Sequence, residues 1–181
     1  LPTELYAVEN GTDRRLTYVQ DEFMAPLKPV TVKGFTSTST DGTKVSGILY
    51  IPQDVAPGTK LPLILYIHGG PVGQDYYEFD LYRNILAAGG FAVAAVNYRG
   101  SSGRGVDYIT SISADWGHKE VMDIIGAADE LVKQGVADVN RMGIGGWSYG
   151  GILTDYTIAT DSRFKAAASG AGSALQLSMY G

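Results

Sequence analysis

Gly145-Gly146-Trp147-Ser148-Tyr149-Gly150-Gly151 decides how the rest of the chain is read. A short strand-like run, Arg141 to Ile144, leads into it, and a helix-like run, Ile152 to Ala159, leads out. Strand, sharp glycine turn and helix form the setting in which G-x-S-x-G acquires a chemical meaning. Gly146 and Gly150, two residues either side of Ser148, let backbone segments approach where a side chain would clash. Such a turn holds its serine at strained backbone angles and presents the Oγ at the tip. The next N–H, that of Tyr149, falls at a helix N-terminus, where an oxyanion is favoured. The pattern points to Ser148 as a nucleophile. The plainer alternative is a glycine-rich strand-to-helix turn with an incidental serine.

Working outward, the chain alternates strands and helices. Leu61 to Ile67 and Phe91 to Val96 are nearly continuous apolar runs, as expected of strands buried on both faces. Tyr77 to Ala88 reads as a helix ended by Gly89-Gly90. Lys119 to Val132 carries Val121, Ile124, Ile125, Ala128 and Leu131 close to helical spacing. Asn97 to Asp107 reads as a glycine-rich loop, and Phe164 to Ala168 as a last short strand. Before these come two hairpins. Glu4–Val8 and Arg14–Thr17 flank Asn10-Gly11, and Val30–Thr38 and Val45–Ile51 flank Asp41-Gly42. Tyr18 to Pro29 connects them. The order implies an α/β fold, a mostly parallel sheet with helices on both faces.

Composition narrows the function classes. With 181 residues, 45% hydrophobic and 18% charged, the chain can build one real core. Its net charge of −5 gives no electrostatic case for nucleic acid. No apolar run reaches the ~20 residues of a membrane helix. The sequence contains no cysteine, which excludes disulfides and thiolate chemistry, and only two histidines, His68 and His118, which argues against a multi-histidine metal site. No metal or cofactor is expected. Cysteine content leaves the compartment open; a cytoplasmic location is the working expectation.

A second motif sits where ligands bind in α/β sheets, beyond the carboxyl end of a strand. His68-Gly69-Gly70-Pro71 follows Leu61–Ile67 directly. If that strand neighbours the one feeding Ser148, the Gly70 N–H joins the Tyr149 N–H in facing one developing oxyanion, as acyl transfer requires. Gly69 is the alternative donor, since adjacent glycines are not separable at this level. The bland reading is a plain glycine turn.

Four motifs now stand in order: His68-Gly69-Gly70-Pro71, Asn97-Tyr98-Arg99-Gly100-Ser101-Ser102-Gly103-Arg104-Gly105, Asp115-Trp116-Gly117 and Gly146-Trp147-Ser148-Tyr149-Gly150-Gly151. Together they resemble the α/β-hydrolase domain of the prolyl oligopeptidase family of serine peptidases, in the branch of acylaminoacyl peptidases and dipeptidyl aminopeptidases. The resemblance runs from Val30 to the end. It implies Ser148 as nucleophile, with the Tyr149 and Gly70 N–H groups as the oxyanion hole and a peptide as substrate. Residues 30–181 would be the N-terminal part of the catalytic domain. Residues 1–29 would be the closing strands of a preceding β-propeller and a linker. In sister branches the position of His68 is a tyrosine whose hydroxyl joins the oxyanion hole. Here a loop-fixing role for His68 is preferred, and a side-chain donor is the second choice. His118 is read as an exposed helix-start residue, and Arg99 and Asp115-Trp116 as loop architecture.

One departure is serious. On this fold the triad order is Ser, then Asp or Glu, then His. No histidine follows Ser148; Asp155 and Asp161 do, but in and just past the helix after the nucleophile. The chain is therefore expected to be an internal slice, truncated before the Asp and His loops and inactive alone. Its last strand would be an open edge, inviting the C-terminal remainder of the same hydrolase or self-association. A carboxylesterase is the rival enzyme, and an inert associating fragment the rival of another class.

Overall fold

The computed structural model describes residues 3–28, 30–173 and 175–180. A small antiparallel hairpin comes first, β1 (Tyr6–Glu9) and β2 (Thr12–Arg15). Asn10 and Gly11 both adopt positive φ, as a two-residue turn between twisted strands requires. A short helix, α1 (Asp21–Met24), interrupts the connector.

The main sheet has six strands: β3 (Val30–Thr38), β4 (Lys44–Pro52), β5 (Leu61–Ile67), β6 (Ala92–Asn97), β7 (Ala137–Trp147) and β8 (Phe164–Gly170). Their spatial order is β3-β4-β6-β5-β7-β8. The β3, β4 and β6 neighbours pair antiparallel, and β6-β5-β7-β8 run parallel. Helices α4 (Lys119–Lys133) and α5 (Tyr149–Thr160) cover one face, where Leu63, Leu65, Ile67, Ala94 and Val96 meet Ile124, Ala128, Leu131 and Leu153. Helix α2 (Leu81–Ala88) covers part of the other, over Ile48, Tyr50, Val93 and Ala95. Each large apolar side chain buried here contributes about 1.5–3 kcal/mol.

Several expected boundaries move, each for a local reason. The helix read from Tyr77 begins at Leu81, because the Asp80 side chain accepts from the Arg83 N–H at 2.8 Å and caps it. The loop read over Asn97–Asp107 gives way to a short helix, α3 (Val106–Thr110). The strand into the serine starts at Ala137, and the helix after it starts at Tyr149, with Ser148 alone between them. A 3₁₀ turn, Gln176–Met179, follows β8.

Part of the α2 face of the sheet is bare. Ile64, Gly143 and Ala166 stand in one row across β5, β7 and β8, and Tyr66, Gly145 and Ala168 in the next. With Leu86 and Trp147 they line an open trough of about 470 Å³. Among the described residues β8 pairs with β7 alone, so its other side is the sheet edge. Another trough, about 520 Å³, lies between the connector and α2, lined by Met24, Leu27, Val32 and Ile85 and not by the serine turn. No helix among the described residues is long and apolar enough to cross a membrane.

Candidate active site

The turn between β7 and α5 is as tight as its glycines suggest. Ser148 is exposed and adopts φ 57°, ψ −121°, outside the regions open to ordinary L-residues. Its N–H donates to the Gly170 carbonyl at 2.9 Å, and its carbonyl accepts from Gly151 and Ile152 as the helix begins. A Cβ on Gly150 would lie 2.1 Å from the Ile67 carbonyl oxygen, and one on Gly146 only 2.5 Å from the same atom. Hydrogen is therefore the only substituent that fits either place. Strain at Ser148 is held by this close stacking of backbone on backbone.

Strand β5 lies beside β7, with Ile67 opposite Gly146, so the His68–Pro71 loop leaves the sheet next to the serine. Gly69 is pressed against the turn: its missing Cβ would stand 2.9 Å from the Trp147 carbonyl oxygen, 3.3 Å from Ser148 Cβ and 3.8 Å from Tyr149 N. Gly70, the next residue, has φ +128°. The N–H groups of Gly69, Gly70 and Tyr149 find no acceptor among the described residues. The structure thus gathers Ser148, Tyr149 and the Gly69-Gly70 pair at one place.

His68 faces away from that place. Its Nδ1 lies 2.8 Å from the Gly69 carbonyl oxygen, which can only accept, so Nδ1 carries the proton and donates. Nε2, 2.8 Å from Ser101 Oγ, then accepts from the Ser101 hydroxyl. The Tyr98 hydroxyl donates to the His68 carbonyl at 2.8 Å, and the two rings stack with centroids 4.4 Å apart. Burial holds the imidazole pKa below its ordinary value, against the pull of Asp75. Further ties bind this loop to its neighbours. Asn97 exchanges two hydrogen bonds with the Asp75 backbone, and the buried Arg83–Asp75 pair joins it to α2 at 2.5 Å.

The remaining candidates stand elsewhere. His118 is exposed at the start of α4, with Nδ1 2.5 Å from Asp115. Asp155 accepts from Ser169 Oγ at 3.0 Å, and Asp161 pairs with Arg163 at 2.7 Å. Ser148 Oγ has no hydrogen-bond partner among the described residues, so no base or orienting acid stands at it. Arg99 is buried, bonded to Asp123 through Nε and Nη2 and to Asp41 through Nη1. Among the described residues no group of three metal-ligating side chains converges.

Two buried acids of α4 escaped the sequence reading, as did Asp75 in the loop after β5. Glu120 and Asp123 are both fully buried. Their positions, with Ile124, Ala127 and Leu131, follow the helical spacing of the apolar face of α4. A charged residue on that stripe was the available signal. Glu120 Oε1 receives the Tyr149 hydroxyl at 2.5 Å, directly behind the turn.

A mostly parallel sheet flanked by helices, with an exposed serine at positive φ on a G-x-S-x-G turn and N–H groups beside it that find no acceptor among the described residues, defines an α/β-hydrolase fold. The pattern of the prolyl oligopeptidase family matches residues 77–181, and the chain belongs to that family of peptidases. It is 37% identical over 172 residues to the uncharacterized peptidase YuxL of Bacillus subtilis, covering 92% of this chain and 26% of that protein. It is 41% identical over 147 residues to dipeptidyl aminopeptidase BIII of Pseudoxanthomonas mexicana, covering 77% of this chain and 21% of the relative. The solved acylaminoacyl peptidase of Pyrococcus horikoshii superposes with a TM-score of 0.86 at 31% identity, over 98% of this chain and 28% of that one. The chain spans about a quarter of the length of these proteins.

Proposed function

We propose that the chemistry of this site is serine-peptidase acyl transfer. The observation that carries the reading is the strained, exposed Ser148 at the Tyr149 N–H and against the Gly69-Gly70 pair, whose N–H groups find no acceptor among the described residues. Ser148 Oγ attacks a peptide carbonyl and loses its proton to a base. The carbonyl oxygen takes up negative charge against the Tyr149 and Gly70 N–H groups, with Gly69 as the alternative to Gly70. Collapse expels the amine, which takes a proton. Water then hydrolyses the acyl-serine by the same steps in reverse order. No cofactor enters this scheme. The base and its orienting acid are not supplied by these 181 residues, because His68 is bound to Ser101 and no histidine follows Ser148. The chain alone is therefore a poor catalyst, completed by further chain of the same hydrolase. Residues 1–29 we assign to the end of a preceding β-propeller and its linker, and the compartment to the cytoplasm.

Carboxylester hydrolysis is the second reading, favoured by the same elbow and loop, which suit esters as well as amides. Mass spectrometry after prolonged exposure to a fluorophosphonate tests the nucleophile. The adduct belongs on Ser148 and is absent from Ser148→Ala; an adduct on another residue refutes the assignment. The ratio of amide to ester turnover in catalytically competent material then separates peptidase from esterase.

A further inference from the structure

Behind the serine turn, away from solvent, lies a carboxyl group that the proposed acyl transfer does not use. Glu120 is the second residue of α4 and is fully buried. Oε1 accepts from the Tyr149 hydroxyl at 2.5 Å and from the Gly117 N–H at 3.4 Å. Oε2 has no hydrogen-bond partner among the described residues. Tyr149 is itself buried, with Trp116 edge-on at 4.9 Å, and among the described residues Glu120 is the only hydrogen-bond partner of its hydroxyl. The N–H of the same residue is one of the two proposed oxyanion donors.

The surroundings offer Glu120 no counter-charge. Among the described residues it forms no ion pair. Asp123, one turn along α4, is a like charge already committed to Arg99 from the end of β6. Asp115 and His118, in the turn before α4, pair with each other at the surface. The other titratable neighbours are the phenols of Tyr98, Tyr149 and Tyr156. An unpaired carboxylate so placed carries a desolvation penalty that a neutral acid avoids. Burial accordingly raises its pKa. A negative charge behind Tyr149 would also oppose the oxyanion in front of it.

We propose that Glu120 is a positioning residue of the candidate active site: an uncharged carboxyl that fixes the Tyr149 ring, and through it the Tyr149 N–H, without adding negative charge behind the oxyanion. Only its effect on reactivity rests on the acyl-transfer reading.

Three variants of the chain test this. Glu120→Ala removes the acceptor, Glu120→Gln keeps an acceptor that cannot ionise, and Tyr149→Phe removes the hydrogen bond from the other side. At neutral pH the wild-type infrared spectrum should contain a protonated-carboxyl band that Glu120→Gln loses. The amide resonance of residue 149 should shift in Glu120→Ala and return in Glu120→Gln. The rate of Ser148 phosphonylation should fall roughly 10- to 100-fold in Glu120→Ala at unchanged initial affinity for the fluorophosphonate, and recover in Glu120→Gln. If Glu120→Ala does not fold, Tyr149→Phe reports on the same bond. A spectrum without that carboxyl band overturns the proposal, as does a Glu120→Gln that behaves like Glu120→Ala, or a hydrogen bond removed without effect on the 149 amide. Should Ser148 prove unreactive in every form, the acyl-transfer reading fails, while the band and the amide resonance still decide the role of Glu120.

Discussion

Replacing Gly150 by alanine should unfold the molecule far more readily than its size suggests. The added methyl would lie 2.1 Å from the Ile67 carbonyl oxygen and 2.9 Å from that of His68. Both acceptors are backbone, at the end of a strand held between two neighbours, so neither can swing aside as a flexible side chain would. Relief requires pulling the β7–α5 turn off β5. Overpacking of a well-filled site costs typically ~1–3 kcal/mol, and the rigidity here places this case at about 3 kcal/mol or above. For a chain of this length that lowers Tm by roughly 6–12 °C. Gly143→Ala is the internal control. Its methyl would meet only the Ala166 carbonyl oxygen at 3.5 Å, an ordinary contact, on the open side of the sheet. Alanine at an unstrained strand position should be better than glycine by roughly 0.5–1 kcal/mol. Thermal and urea melts of both variants beside the wild type give the comparison. Equal stability of Gly150→Ala and wild type would refute the claim that close backbone stacking builds the turn.

Arg99→Met should destabilise by about 3–5 kcal/mol in urea melts, because it leaves the buried Asp123 carboxylate without its partner; a loss under 1 kcal/mol would place that charge in solvent. Asp41 is held at a pKa of about 2, first by the Thr43 backbone N–H and then by Arg99, so its contribution is present above 3.8 and lost as pH falls through about 2. Asp41→Asn should flatten the stability profile in that window, and an unchanged profile would contradict the assignment. Glu120 works with the opposite sign: its raised pKa means that folding loses stability as pH rises from 4.5 through the folded value, so Glu120→Gln should gain on wild type across that rise. The 181 residues alone should turn over p-nitrophenyl esters and peptide amides hardly better than an unrelated protein, and stoichiometric fluorophosphonate labelling at the rate of an ordinary serine hydrolase would reveal a base not described here. With β8 at the edge and the trough beside it bare, light scattering on material of confirmed mass should show association, reduced by Ala168→Glu; a monodisperse monomer with a cooperative melt would show that this face is covered.

The parts of the fold that were legible are those where one local rule acts alone. Leu61–Ile67 emerges with the boundaries read from its apolar run, but only Leu63, Leu65 and Ile67 are fully covered, under α4 and α5; Ile64 and Tyr66 face the bare trough, so the burial expected on both faces holds on one. Gly146 and Gly150 announced the serine turn because nothing larger fits against Ile67. Asn10-Gly11 and Asp41-Gly42 marked both hairpins. What stayed hidden depends on contacts distant in sequence. The start of α2 is set by a cap at Asp80 where the apolar pattern already ran from Tyr77. His68 could have faced the serine or the far loop; Ser101, 33 residues on, decides it. Glu120 drew no reading from the sequence, and only the packing of α4 on α5 shows it behind Tyr149. Gly69 and Gly70 were inseparable in sequence, and the fold puts Gly69 against the turn with Gly70 one peptide beyond.

The most direct test of the account is a crystal structure of the chain after slow phosphonylation at Ser148. The prediction is a phosphoryl oxygen within hydrogen-bonding distance of the Tyr149 N–H and of the Gly70 or Gly69 N–H, with His68 still bound to Ser101. A phosphoryl group on Ser148 whose oxygens all point to solvent, clear of those N–H groups, would contradict it.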